Sequence, residues 1–409
     1  MLFHTLPRTP GQANALARAA QLTDTRWTPL RDVPSFTRLG EKLWHKAGVE
    51  VTGLPYSSPE PTDSFLCENY SLSTFFTAVA NPDSALYTKD LGGIRNSWTY
   101  FAVVCNGLVR YAFNIRRRYS TKRWLTIPGI RQVALPGEYT VEDLQLCDAL
   151  YAYGQGRNHV AIITDILRDE EGAVRLVEVS EAIVPSCRRA VFTPEEYYEK
   201  YKLFGITRYD LLDSIPAPEP IRIPEKASTV SVDYGDNSNY FRGENVVLSV
   251  FAEGPQEVLL RCEDGPTECI TVTGNISLSP QPGRYTAVHA ATGEAVHFCV
   301  CRPVIEYHVE NGILHVNAQS TDPMSRVLCL DLREQSRTKM APEDIPPLER
   351  GRLHAPNAAA LAKILELTEK EKATGIFSRP IHPDAHNFKV VYENPYGIWT
   401  HTMLPLDCE

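Results

Sequence analysis

Cys105 has a sequence context that suits a nucleophile. The apolar residues that follow it recur with the period of one helix face: Leu108, Val109, Ala112 and Phe113. We therefore expect Cys105 at the N-terminus of a buried helix. There, backbone N–H groups and the helix dipole stabilise a thiolate and can bind the oxyanion of a tetrahedral intermediate. A small apolar residue packed at a helix start would give the same pattern, so that alternative stays open.

A thiolate nucleophile needs a base, and His159 has the best context among the eleven histidines. It precedes a β-rich run in which Val160 and Ile162 are predicted to face a core. The cysteine comes before the histidine, and the chain between them is long enough for connecting structure. A histidine at a strand start is also often a purely structural residue.

The group that orients the imidazole is predicted to come from the next strand. Alternation in Leu176-Val-Glu-Val-Ser-Glu181 places Glu178 on the face of His159, provided that Val177 and Val179 join Val160 and Ile162 in one core. Glu178 is therefore our first candidate for a third catalytic residue. A symmetric turn between Glu170 and Glu171 would place Glu178 opposite Ile163, four positions from His159. A bulge at Gly172 would shift this register and bring in Glu181 instead, and Ser180 or no residue at all is the third option.

The elements around these residues predict an α+β domain. Helix signals cover residues 15–22, 105–115 and 193–203, and in the last of these Thr193 and Pro194 form an N-cap and first-turn pair. Residues 159–167 and 173–181 are predicted to form an antiparallel hairpin.

A proline-rich segment, residues 213–228, separates this domain from the C-terminal half of the chain. Short alternating strands with Gly and Pro turns then predict two β-sandwich-like modules. We expect a hydrolase domain at 1–215, a linker at 216–228, an immunoglobulin-like sandwich at 229–303 and a second β-rich module at 304–409. Residues 1–215 are expected to fold without the remainder.

Composition excludes some classes of partner. A net charge of −9 argues against nucleic acid, whose phosphates require a basic surface. We find no signal-peptide pattern and no apolar run of membrane-spanning length. The ten cysteines predict reduced thiols rather than a disulfide framework. Two alternatives stay open: a hairpin disulfide between Cys262 and Cys269, and a zinc site of these two with Cys299 and Cys301. Our expectation is no cofactor and no metal.

A basic cluster follows the predicted nucleophile helix. It comprises residues 116–118 with Lys122 and Arg123 in an otherwise acidic chain. The cluster is a candidate for recruiting carboxylate-rich peptides or anionic polymers, which added salt would weaken. A solvated surface next to a helix C-terminus is the alternative.

Residues 50–182 resemble the NlpC family of papain-like, bacterial cell-wall cysteine peptidases. Its Cys-Ser-Gly-Leu-Val-x-Tyr-Ala motif is similar to Cys105-Asn-Gly-Leu-Val-Arg-Tyr-Ala112, its Gly-Asp-Leu to Cys147-Asp-Ala-Leu150, and its His-Val-Gly-Ile to His159-Val-Ala-Ile162. Gly53-Leu-Pro-Tyr56 is similar to the family's Pro-Tyr motif, whose tyrosine lines the active site. The chain departs from the family at Val104, where Asp is usual, and at Asn106, where Ser is usual.

The resemblance implies a papain-like fold and hydrolysis of amide bonds in peptidoglycan stem peptides. It assigns Cys105 as nucleophile and His159 as base, and our candidate substrate-binding residues are Tyr56, Asn106 and Arg157. It also implies that the protein acts in the bacterial cell envelope or outside the cell, with the cytoplasm as the alternative. The β modules would then bind a cell-wall ligand.

Two further hypotheses stay open from the sequence. One is an acyl transferase or an amidase acting on a substrate other than the wall, since one fold and dyad support several outcomes. The other is a non-catalytic wall-binding or adhesion protein with a degenerate peptidase domain. A reactive thiol at Cys105 would separate the enzymes from the binding protein.

Overall fold

The computed structural model describes residues 2–33, 45–56, 72–88, 101–115, 121–154, 157–224, 227–241, 243–263, 265–302, 306–317, 326–331, 364–365, 367–380, 387–393 and 399–405. The fold is mixed α/β, and its sheets are mostly antiparallel. The helices are α1 Pro10–Thr23, α2 Leu72–Val79, α3 Ala85–Thr88, α4 Cys105–Ala112, α5 Pro194–Tyr201 and α6 Glu369–Thr374.

The strands fall into three groups along the chain. The first group is β1 Phe3–His4, β2 Arg26–Trp27, β3 Val51–Thr52, β4 Ile130–Ala134, β5 Ala149–Gly154, β6 Arg157–Arg168, β7 Val174–Ala182, β8 Cys187–Phe192 and β9 Gly205–Tyr209. The second is β10 Val230–Val232, β11 Ser238–Phe241, β12 Val246–Val250, β13 Gln256–Cys262, β14 Thr267–Val272, β15 Asn275–Leu278, β16 Gly283–His289 and β17 Ala295–Arg302. The third is β18 Glu306–Glu310, β19 Ile313–Asn317, β20 Arg326–Asp331, β21 Ile364–Leu365, β22 Ile376–Pro380, β23 Asn387–Glu393 and β24 Trp399–Pro405.

A seven-stranded antiparallel sheet organises the N-terminal part in the order β4-β9-β5-β6-β7-β8, with β1 added along β6. Side chains alternate between its two faces. Val160 and Ile162 of β6 belong to the buried cluster that contains Leu108 and Val109 of α4. Ala161 and Ile163 belong to a second cluster, which contains Tyr197 and Tyr201 of α5. The sheet is therefore covered on both faces, by α1 and α4 on one face and by α5 on the other.

The predicted hairpin and two of the predicted helix starts are confirmed, whereas α1 begins at Pro10 rather than at residue 15. Strands β6 and β7 pair antiparallel, and α5 begins with Thr193 as N-cap in a capping box with Glu196. Helix α4 begins at Cys105 as expected but ends at Ala112 rather than 115. Asn114 adopts a positive φ of 54°, and the amide of Ile115 bonds back to the carbonyl of Arg110, which closes the helix.

The predicted register of the hairpin is wrong. Register shifts lie between Ile163 and Asp165 and between Leu167 and Arg168 rather than at Gly172. As a result Ile163 pairs with Val179 and Ile162 with Ser180. Val177 and Val179 join the cluster of Ala161 and Ile163, not that of Val160 and Ile162. Because a one-residue slip exchanges the faces of a strand, the premise that placed Glu178 beside His159 does not hold.

The described residues beyond 229 lie mostly in β-strands, as predicted. A three-stranded sheet, β10-β12-β15, accompanies a five-stranded sheet, β11-β17-β16-β13-β14, in which only β11 and β17 pair in parallel. Further along, β18-β19-β22 and β21-β20-β23-β24 form two more sheets. This arrangement is compatible with the expected β-sandwich-like, multidomain character.

The N-terminal part and the first β-rich unit share one hydrophobic core. Phe75 of α2 and Phe101 lie in the same buried cluster as Val232 and Tyr234, and the rings of Phe101 and Tyr234 are 6.3 Å apart. Asn81 is fully buried, and its Nδ2 donates to the carbonyl of Val232 at 3.2 Å. Since removing the β-rich unit would expose this core, the structure argues against an independently folding 1–215 fragment.

The hairpin disulfide considered from the sequence is not formed. Cys269 pairs with Leu259 in the β13–β14 ladder, three residues from Cys262, and both cysteines are free thiols. Separately, none of the helices in the described ranges combines the length and the apolar character that a membrane crossing requires.

Candidate active site

The thiol of Cys105 lies at the first residue of α4, where the helix is not capped by a side chain. Cys105 is 6% exposed, and its Sγ is 3.8 Å from Oγ1 of Thr121. Burial alone would raise the pKa of the thiol. Hydrogen-bonding and charge interactions with His159, with smaller contributions from the backbone of Val160 and from Thr121, outweigh burial and lower the pKa of Cys105. The site therefore favours the thiolate.

His159 lies near the start of β6, opposite Ala152 of β5. Its Nε2 is 3.0 Å from Oε2 of Glu181, and Phe204 presents an edge-on ring 6.1 Å away. Nε2 is thus engaged, which leaves Nδ1 as the nitrogen available to the thiol. Burial lowers the pKa of His159, but interactions with Cys105 and Glu181 outweigh this and raise the pKa to about 9. The imidazole is therefore protonated at neutral pH.

Glu181 accepts several hydrogen bonds next to this dyad, and its side chain is 1% exposed. Oε2 accepts from His159 and from the hydroxyl of Tyr201 at 3.2 Å. Oε1 accepts from Nη2 of Arg188 at 2.8 Å and from Nζ of Lys200 at 2.7 Å. Burial raises the pKa of Glu181, but these donors outweigh burial and hold the pKa well below its usual range. Glu181 is thus a fixed anion behind the histidine.

The first sequence candidate for this position, Glu178, lies elsewhere. It pairs with Asp165 across the β6–β7 ladder, and its Oε1 accepts from Thr164 at 2.8 Å and from Arg189 at 3.3 Å. The predicted contact of Glu178 with His159 is therefore wrong, and the register shift at Ile163 is the physical reason. Ser180 is buried, and its hydroxyl lies 3.1 Å from that of Thr164 rather than next to the imidazole.

Each of the three candidate substrate-binding residues lies near Cys105 or His159, either in the sequence or through a β-bridge. Tyr56 forms a parallel β-bridge with Val103, two residues before the nucleophile, and its amide bonds to the carbonyl of Pro185 at 2.8 Å. Asn106 follows Cys105 in α4 and is buried. Arg157 begins β6 two residues before His159, and its side chain lies outside the described part of the structure. A substrate-binding role for these three residues stays a prediction.

Sequence reasoning did not single out the residues that hold Glu181. Arg188 is its direct partner in the β7–β8 ladder, so a correct hairpin register around Val184-Pro185 would have found it. Lys200 and Tyr201 come from α5, whose packing against β7 no local pattern reveals. Of the basic cluster, residues 116–118 lie outside the described part of the chain. Lys122 is partly buried, and burial together with the charge of Arg123 lowers its pKa.

The arrangement supports one kind of chemistry directly. A thiol with a lowered pKa faces an imidazole with a raised pKa, an arrangement that favours transfer of the proton from the sulfur to the histidine. The buried anion of Glu181 stabilises that charge distribution and holds the ring by Nε2. The side chain of His159 is 19% exposed, so part of the imidazole is accessible to solvent.

Comparisons with known proteins give no family for the chain. No protein-family model and no curated protein matches it. Among solved structures the chain is similar to an NIE-MG1 fragment of α2-macroglobulin from Escherichia coli, with 12% identity over 44% of this chain and 97% of that one, at a TM-score of 0.16.

Two other structures of the same Escherichia coli protein are also similar to the chain. A fragment spanning MG0-NIE-MG1 has 10% identity over 68% of this chain and 91% of that one, at a TM-score of 0.15. A reconstruction of the native conformation has 12% identity over 64% and 19%, at a TM-score of 0.18. Similarities at this level contribute nothing to the interpretation of the site.

Proposed function

We propose that this chain is a cysteine hydrolase of the papain-like, NlpC type that cleaves amide bonds in peptidoglycan stem peptides. The observation that carries the proposal is the alignment of three groups: Cys105 at a helix start, His159 within hydrogen-bonding reach of it, and the buried Glu181 on the far nitrogen of the imidazole. The choice of substrate is supported by the motifs around Cys105 and His159, and with it we propose action in the cell envelope.

The reaction follows from the charges in the resting site. The Cys105 thiolate attacks the carbonyl carbon, and the backbone N–H groups at the start of α4 stabilise the oxyanion. Protonated His159 transfers its proton to the departing amine nitrogen, which leaves a thioester on Cys105. Neutral His159 then removes a proton from water, the hydroxide attacks the thioester, and the carboxylic acid product departs as the thiolate and the imidazolium are restored. Glu181 remains ionised throughout and keeps the ring in place.

The experiment that tests this function is digestion of purified peptidoglycan, with mass analysis of the released peptides. We expect new amino and carboxyl termini within the stem peptides with the parent chain and none with Cys105→Ser. Cys269→Ser is the matched control, because it removes an exposed free thiol on β14 by the same change. Equal release by parent and Cys105→Ser would contradict the proposal.

A nucleophilic amine added to the digestion distinguishes hydrolysis from acyl transfer. If water resolves the thioester, the released peptides carry free carboxylates and only a minor fraction carries the amine. Predominant amine adducts would identify a transferase that uses the same dyad. A reactive Cys105 without any release from peptidoglycan would point to an amide substrate outside the wall.

A further inference from the structure

A tight hairpin begins the C-terminal β-rich unit. Strands β18 and β19 are joined by Asn311 and Gly312, whose φ angles of 50° and 71° are those of the turn that best fits a two-residue hairpin. The ladder then pairs Glu310 with Ile313, and two steps back it pairs His308 directly with His315. The turn therefore fixes a cross-strand pair of histidines.

Three metal-binding side chains converge on one face of this hairpin. His308 and Glu310 alternate along β18, so both share the face on which His315 lies opposite. Leu314 and Val316 are buried on the other face of β19, which prevents the strand from turning over. The donor atoms of His308, Glu310 and His315 all lie within 4.8 Å of one another.

The two imidazoles are held in a defined arrangement. Their rings are 4.6 Å apart and nearly parallel, at 11°. His315 is also fixed from behind, because Nδ1 lies 2.9 Å from Oγ of Ser378, its partner on β22. That hydrogen bond leaves Nε2 of His315 as the nitrogen available to an ion. In metal sites, the ring nitrogen that does not bind the ion usually forms a hydrogen bond with a polar group, and this bond orients the histidine.

We propose that His308, Glu310 and His315 form a binding site for a divalent transition-metal ion, with Zn²⁺ as the expected occupant. Two imidazoles and one carboxylate are a donor set that Zn²⁺ accepts readily, whereas Ca²⁺ and Mg²⁺ prefer sites made of oxygen alone. His308 and Glu310 are exposed, so a fourth coordination position is open to water or to a ligand.

The consequence of binding is local to the C-terminal unit. An ion held by both strands of the hairpin links β18 to β19 beyond their backbone hydrogen bonds, and binding to the folded form alone stabilises that form by mass action. The site is separate in sequence and in fold from Cys105 and His159. The proposed metal site therefore does not depend on the proposed hydrolase function, and each can be tested without the other.

The test is titration of the full-length, chelator-treated Cys105→Ser chain with ZnCl₂ by isothermal calorimetry. This background removes the catalytic thiol, which with His159 could itself bind zinc. The proposal predicts one Zn²⁺ per chain, no measurable uptake of CaCl₂, and an affinity at least about tenfold weaker in His308→Gln and in His315→Gln. Glu257→Gln is the matched control, because it neutralises an exposed carboxylate on β13, outside the hairpin, and leaves binding unchanged.

The hydrogen bond behind His315 gives a second test. Ser378→Ala is expected to weaken Zn²⁺ binding about tenfold without changing the melting temperature of the metal-free chain, since loss of an orienting partner acts on affinity. Absence of Zn²⁺ binding to the Cys105→Ser chain would overturn the proposal. So would unchanged Zn²⁺ affinity in the variant that carries both His308→Gln and His315→Gln.

Discussion

The carboxylate of Glu181 accepts a hydrogen bond from Nε2 of His159 while Arg188 and Lys200 hold its other oxygen. The carboxylate is buried, yet its donors keep it ionised. A fixed negative charge behind an imidazole favours the imidazolium, and through it the thiolate of Cys105. This relationship underlies the first two predictions.

Glu181→Gln is predicted to lower kcat at least about tenfold, because the amide cannot supply the charge that stabilises the imidazolium. The matched control is Glu178→Gln on the same strand, which is expected to stay near the parent since Glu178 contacts Thr164 and Arg189 rather than His159. Steady-state kinetics, with circular dichroism to confirm folding, measures both. Activity of Glu181→Gln equal to that of Glu178→Gln would remove the orienting role.

Activity is predicted to fall as pH rises through about 9, where His159 loses the proton that the leaving amine requires. The pH dependence of kcat/KM measures this limb. In Glu181→Gln the limb should move to lower pH, since Glu181 is one of the groups that raise the pKa of His159. If the alkaline fall of kcat/KM occurs at the same pH in Glu181→Gln as in the parent, that fall reports the titration of a group other than His159.

The stability of the folded chain should also depend on the proton of His159. The pKa of His159 in the folded chain, about 9, lies above the ordinary 6.5, so the folded state binds this proton more tightly. Its contribution to stability is complete below pH 6.5 and is lost as pH rises through about 9. The lowered pKa of Cys105 acts in the opposite direction, because the folded state releases the thiol proton more readily and gains stability as pH rises towards 9. The two contributions offset each other in the parent, so thermal melting of the parent should change little between pH 6.5 and about 9. A steep alkaline loss in the parent that His159→Gln removes would contradict the coupled pair.

The shared core between the N-terminal part and the first β-rich unit can be tested at Gly235. This glycine has a φ of 92°, and an added Cβ would lie 2.3 Å from the backbone oxygen of Thr74 in α2. Gly235→Ala is therefore expected to lower the free energy of unfolding by about 2 kcal/mol or more, through backbone strain and a clash with α2.

Gly254→Ala is the control for that variant. Gly254 also has a positive φ, 70°, but an added Cβ there meets nothing within 4 Å. It should therefore cost about 1 kcal/mol, from backbone strain alone. Chemical denaturation of both variants measures the difference. Equal losses would mean that the close approach of Gly235 to α2 does not contribute to stability.

The sequence predicted the elements that place the dyad because their signals are local. The apolar period after Cys105 and the capping pair at Thr193 depend only on neighbouring residues, and both helices begin where expected. Which residue accepts the hydrogen bond from Nε2 of His159 depends on a one-residue register shift at Ile163. No residue type in the sequence indicates that shift. Contacts such as Asn81 with Val232 join distant segments, so the core that crosses the proline-rich linker could not be predicted from local patterns.

The most direct test of the central claim is the rate at which iodoacetamide alkylates Cys105, measured by peptide mass analysis in parent and His159→Gln. We predict alkylation of the parent at pH values well below 9, the ordinary pKa of a cysteine, because His159 lowers the pKa of this thiol. The rate should be at least about tenfold slower in His159→Gln, with Cys269 unchanged as the internal reference. Equal rates for Cys105 in the two chains would contradict a thiolate–imidazolium pair.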